Sequence, residues 1–140
     1  MNKSESIKEI AGALIKFHET VGAVKKDAEN PFFKSKYASL DSYLEAVSAP
    51  LKEAGLSFAQ FPDGEGLSTI LMHTSGEWLE ASYSVPLAKA DPQGAGSAIT
   101  YMRRYALGAI LGLATETDDD GNVASNKKGV GEQTEQPFTI

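Results

Sequence analysis

The chain has 140 residues, 41% of them hydrophobic, enough for one domain with a real core and too few for two. It contains no cysteine and two histidines, so disulfides and thiolate catalysis are excluded and a transition-metal site would need carboxylates. A net charge of −6 argues against a generic coat for nucleic acid, but from Leu113 onward six acids stand against two lysines, so any phosphate-binding surface has to be a local patch.

Ile7, Ile10, Leu14, Phe17, Val21 and Val24 recur at intervals of three and four, and Ser6 with Glu9 fits a capping box. The spacing predicts an amphipathic helix from Ser6 to Ala28, ended by Asn30-Pro31, because a residue before proline is pushed out of the helical region. Its apolar stripe serves either its own domain or a neighbouring subunit. PFFKSKYAS follows as a short loop. Lys34, Lys36 and Tyr37 there suit a phosphate backbone and a stacked base, and Lys25 and Lys26 lie just upstream. In the plainer reading Phe32 and Phe33 plug the core and the lysines stay in water.

Ser39 caps a second helix whose buried side is Leu40, Tyr43, Leu44, Val47, Leu51 and Ala54. Gly55 stops it, and Pro50 should kink or restart it. From Leu56 to Val85 the period changes to two. LSFAQF, LSTILMH and EWLEASYSV, separated by PDGEG and TSG, predict a three-stranded antiparallel meander. Trp78 falls on its outer face, as a base platform, a cover for an apolar seam or a subunit contact. Edge strands offer a place for one subunit to pair with the next. PLAKADPQGAGS reads as an exposed link in which Lys89 and Gln93 either close over a bound strand or simply face water.

The organising stretch is QGAGSAITYMRRYALGAILGLATETDDD, from Gln93 to Asp120. At the helical period Ile99, Met102, Ala106, Ile110 and Leu113 fall on a core face, and Ser97, Tyr101, Arg104 and Gly108 on the other. Gly94 and Gly96 precede the first turn, where free N–H groups favour an anion. Arg104 projects from the polar face. Arg103 sits at the border, where it must snorkel or pair with an acid. Tyr101 and Tyr105 are placed to stack.

After Leu113 the chain turns acidic, then polar, as in a disordered tail that ends in the apolar residues PFTI. Glu116, Asp118, Asp119 and Asp120 invite a calcium loop, but the twelfth position is Lys127 where a bidentate glutamate is needed. Three adjacent acids without a second cluster are poor magnesium ligands for a nuclease. P-loop, zinc-protease and nucleophile-elbow motifs are absent, so no catalytic residue, metal or cofactor is assigned and the protein is read as a non-enzyme.

Two blocks, KSKYASLDSYLEAVSAPLKEAGL and GSAITYMRRYALGAILGLATETDDDGN, resemble the Erf (essential recombination function) family of phage single-strand annealing proteins, over roughly Phe33 to Asn122. The resemblance implies an α+β fold with N-terminal helices, a β-β-β-α core like that of the annealing-protein superfamily, and a flexible tail. It divides the chain into 1–30 (N-terminal helix), 31–116 (annealing core) and 117–140 (tail). It implies ATP-independent annealing of single-stranded DNA in recombination of phage or prophage DNA by a homo-oligomer, ring or filament, without cofactor. A phage exonuclease or a host single-strand-binding protein is a candidate further partner. The implied DNA-binding residues are Lys25, Lys26, Lys34, Lys36, Tyr37, Tyr101, Arg103 and Arg104. The competing reading is an oligomeric protein-interaction module that acts with replication or recombination partners and has no annealing activity of its own. No apolar run approaches a membrane span, and MNKSESIKEI lacks the hydrophobic region of a signal peptide, so the expected location is the host cytoplasm.

Overall fold

Strand alternation begins where Gly55 closes a helix. In the computed structural model, which describes residues 1–86 and 92–115, the chain runs β1 (Asn2–Lys3), α1 (Lys8–Thr20), β2 (Ala28–Glu29), β3 (Lys36–Tyr37), α2 (Leu40–Ala54), β4 (Leu56–Asp63), β5 (Gly66–His73), β6 (Trp78–Ser84) and α3 (Pro92–Leu111). The class is α+β with antiparallel sheets. The meander β4–β5–β6 is present, but the sheet has four strands in the order β1-β6-β5-β4, because Asn2 and Lys3 pair with Glu80 and Leu79. Two polar residues carry no period, so nothing in the sequence marks β1.

Register places Phe58, Leu71 and Leu79 side by side on one face of the sheet. That face shares a core with Ile10, Ala13 and Phe17 of α1, Val47, Leu51 and Ala54 of α2, and Leu107 and Leu111 of α3. Ser57, Ala59 and Phe61, which alternate with the inward residues of β4, are exposed.

Helix α1 is shorter than its apolar stripe suggests. It ends at Thr20, where Val21 takes extended backbone (φ −77°, ψ 138°). Val24 is fully buried for another reason: it bridges to Thr115, and its N–H donates to the Ala114 carbonyl at 2.8 Å. The expected Ser6–Glu9 box does not form. The Ile10 N–H instead donates to Glu77 Oε1 at 2.8 Å, so a carboxylate from the β5–β6 turn caps the helix. Burial pushes the Glu77 carboxyl up, but hydrogen bonds from Ile10, Ser6 and Glu9 outweigh it and hold the group below its ordinary value.

Helix α2 follows its signals. Ser39 Oγ accepts the Ser42 N–H at 3.2 Å, and Gly55 ends the helix with φ 74°. Pro50 lies inside one continuous helix. Helix α3 begins at Pro92, so Gly94 and Gly96 lie within it and do not precede its first turn as expected. Proline suits a helix start because its missing N–H would be unpaired there anyway. α3 packs on β5, β6 and α2 together, which widens its covered side. Gly108, expected on the polar face, meets α2: a Cβ there would stand 3.3 Å from the Tyr43 ring. At the other end His18 Nε2 donates to the Leu111 carbonyl at 2.7 Å, and Gly112 turns the chain with φ 63°. Among the described residues no helix is long and apolar enough to cross a membrane.

Candidate nucleic-acid interface

PFFKSKYAS is a hairpin tip and strand where a loop was expected. Ala28 pairs with Tyr37 and Glu29 with Lys36. The turn is fixed at Asn30, whose Oδ1 accepts the N–H groups of Phe32 (2.8 Å) and Phe33 (3.3 Å), and whose carbonyl accepts that of Lys34 (2.7 Å). Lys34 takes the left-handed conformation at φ 54°. Phe32 and Phe33 do not plug the core: they are 87% and 78% exposed. Lys34 and Lys36 are also exposed.

The base of the hairpin is fastened to α2. Asp27 accepts both the Ser39 N–H and the Ser39 hydroxyl at 2.8 Å. These bonds hold its carboxyl below the ordinary aspartate value. Ser42 Oγ donates to the Lys25 carbonyl at 2.7 Å, which anchors the segment carrying Lys25 and Lys26 to the same helix. Lys25 is exposed and Lys26 half-buried.

This anchoring brings Tyr37 over α3. The Arg104 guanidinium carbon lies 5.1 Å from the Tyr37 ring centre, 5.6 Å from that of Tyr105 and 5.9 Å from that of Tyr101. The Tyr101 and Tyr105 rings are themselves 4.4 Å apart. Two more tyrosines border the group. Burial pushes the Tyr43 hydroxyl pKa up, with Tyr105 adding to the rise and Arg104 opposing it. Burial also raises Tyr83, with Tyr101 and Tyr105 adding to the effect. Three tyrosines therefore face Arg104, while Tyr43 borders Tyr105 and Arg104 and Tyr83 borders the Tyr101–Tyr105 pair. Rings hold the guanidinium in place by cation–π attraction while leaving its N–H groups able to reach an anion.

The two arginines are not equivalent. Arg103 turns toward β4, where its Nε donates to Gln60 Oε1 at 3.3 Å and its carbonyl accepts from Gln60 Nε2 at 3.2 Å. The partner is an amide in place of the expected acid. Trp78 sits across from Met72 on the sheet face away from the tyrosine group. Of the sequence candidates, Tyr37, Tyr101 and Arg104 thus come together where the hairpin meets α3, Lys34 and Lys36 are exposed on the hairpin, Lys25 and Lys26 lie at its base, and Arg103 lies toward the sheet. Tyr43, Tyr83 and the exposed pair Phe32–Phe33 were not among the candidates. Tyr43 and Tyr83 occupy positions that read as core in a helix stripe and a strand, which hides them. Asp118, Asp119, Asp120, Lys89 and the PFTI end lie outside the described residues, and among the described residues no three histidine or acidic side chains stand together as metal ligands.

The family model of the ERF superfamily matches residues 10–137, nearly the whole chain. No curated protein and no solved structure matches it.

Proposed function

The chain belongs to the ERF superfamily, and from that membership and the hairpin–α3 surface we propose that it binds single-stranded DNA and anneals complementary strands without ATP, in recombination of phage or prophage DNA. The observation that carries the reading is Arg104, stacked among Tyr37, Tyr101 and Tyr105, with Lys34 and Lys36 exposed on the hairpin that carries Tyr37. Annealing asks little of side-chain chemistry: grip phosphates, keep base edges accessible, release duplex. Cations grip the backbone in any sequence, and aromatic rings accept any base face. Neither role needs a nucleophile or a general base, and we read the protein as a non-enzyme. On this reading residues 31–116 form the DNA-handling unit, the protein works in the host cytoplasm, and several subunits share one strand, so that weak single contacts multiply.

The test is the rate at which two labelled complementary oligonucleotides pair without ATP. The wild-type protein accelerates pairing and Arg104→Ala loses most of the acceleration. No acceleration over protein-free controls removes the proposal. Salt separates it from an interaction module: affinity for a single strand falls with a logarithmic slope of about −0.7 per phosphate contact, whereas docking through an apolar patch barely responds to salt.

A further inference from the structure

Phe32 is the most exposed large hydrophobic side chain among the described residues, and Phe33 follows it on the same turn. They do not sit on a loose loop. The Asn30 side chain binds both of their N–H groups, the Asn30 backbone bonds Lys34 and Ser35, and Asp27 fastens the base of the hairpin to Ser39. Two aromatic rings exposed to water on a hydrogen-bonded turn form an apolar point that asks for a partner.

Charge around the tip selects the partner. Residues 25–37 carry Lys25, Lys26, Lys34 and Lys36 against Asp27 and Glu29, in a chain whose net charge is −6. Asp27 is already engaged by Ser39. Lys34 follows Phe33 directly, Lys36 is exposed two residues on, and Tyr37 lies against Arg104. An apolar point followed by Lys34 and Lys36, on a segment whose lysines outnumber its acids, matches a polymer that alternates anionic phosphates with flat apolar faces, which is a single nucleic-acid strand.

Resting on the reading above, we propose that Phe32 and Phe33 act as a wedge that enters between two neighbouring bases of the bound strand, while Lys34 and Lys36 hold the phosphates on either side. Base–base stacking is exchanged for base–phenylalanine stacking at that step. The strand lengthens locally, and the flanking bases turn their pairing edges outward at one point per subunit. A hydrogen-bonded turn suits this role because a floppy one would lose entropy on insertion.

An oligonucleotide of consecutive 2-aminopurines, whose emission is quenched by stacking, tests the wedge in the full-length protein. Wild type raises the emission several-fold on binding. Phe32→Ala/Phe33→Ala still binds, about tenfold more weakly and with an unchanged salt slope, but leaves the emission flat. Lys34→Ala/Lys36→Ala lowers the salt slope instead. A full emission rise in the phenylalanine variant overturns the wedge. A fall in particle mass in that variant, with emission intact, also overturns it, by assigning the tip to a contact between copies. Absence of any binding by wild type is a separate result that removes the DNA reading itself. The substituted side chains are exposed, so the fold is preserved, and an unchanged melting temperature checks this.

Discussion

Arg104 and Arg103 are neighbours in sequence and differ in everything that matters to a strand of DNA. Arg104 is held by three rings whose faces supply about 0.5–1 kcal/mol each at an exposed site, so its planar fork is oriented before an anion arrives. Lysine keeps the charge and loses the fork and the flat stack. Arg104→Lys should therefore weaken single-strand binding about ten- to a hundredfold, the loss expected for one charge-assisted hydrogen bond of about 1.5–3 kcal/mol, with little change in melting temperature. Arg103→Ala should do the reverse, lowering stability by about 1 kcal/mol through its Gln60 contact and affecting DNA affinity less than Arg104→Ala. Titrations by fluorescence anisotropy and thermal melts of both variants decide the assignment. The helical period separates the two arginines, since one residue is a rotation of about 100°. It does not show that Tyr37 meets Arg104, or that Tyr43 and Tyr83 border the tyrosines around it, because that proximity is made by the packing of the hairpin, α2 and β6 on α3.

At the scale of elements, two small features set the site's shape. The Asp27–Ser39 clasp joins the hairpin to α2. The Asp27 carboxyl has a lower pKa folded than unfolded, so its contribution is present above the unfolded value and is lost as the pH falls through the folded one. A carbon NMR titration of Asp27 should show a midpoint below that of an unstructured aspartate, and Ser39→Ala, which keeps the backbone N–H and loses the hydroxyl, should move it part of the way back up. Gly66 sets the other limit, at the end of the β5–β6 ladder. A Cβ there would stand 2.7 Å from the Tyr83 carbonyl oxygen and 3.1 Å from the Ser84 Cβ, so Gly66→Ala must spread the two strands. The expected cost is about 1–3 kcal/mol, read as a fall of several degrees in melting temperature, with Tyr83 displaced from the tyrosine group. Helix α2 and the strands β4, β5 and β6 were legible because cap, stop and alternation agree there. The hairpin and β1 were not. Their strands have two residues each, too short for a period, and tertiary hydrogen bonds fix them. The overlong expectation for α1 has a similar cause: Val24 fits the helical spacing by coincidence and is buried by its bridge to Thr115.

At the scale of the whole molecule, the sheet is unfinished among the described residues. β1 covers β6 only at Leu79 and Glu80, and β4 is the opposite edge. The Ser4 N–H bonds the Trp78 carbonyl on the β1 side, so by antiparallel alternation the N–H groups of Ser82 and Ser84 point to the uncovered edge. Beside that edge runs a groove lined by Leu79, Ala81, Tyr83, Ala106 and Ile110, where α3 stops short of covering β6. A β4 edge from another copy would continue the sheet and cover this strip in one step, and such head-to-tail pairing closes into a ring or extends as a filament. Tyr105 and Tyr83 of the tyrosine group line the same groove, so a copy seated there would lie next to Arg104. Ser82→Pro removes an outward N–H and leaves the β5 side of the ladder paired, since proline is tolerated on an edge. The expected result is a folded protein by circular dichroism whose light-scattering mass falls toward that of a single chain and whose annealing rate falls with it. A Ser82→Pro variant that keeps the wild-type mass would place subunit contact elsewhere on the molecule and separate the groove from assembly.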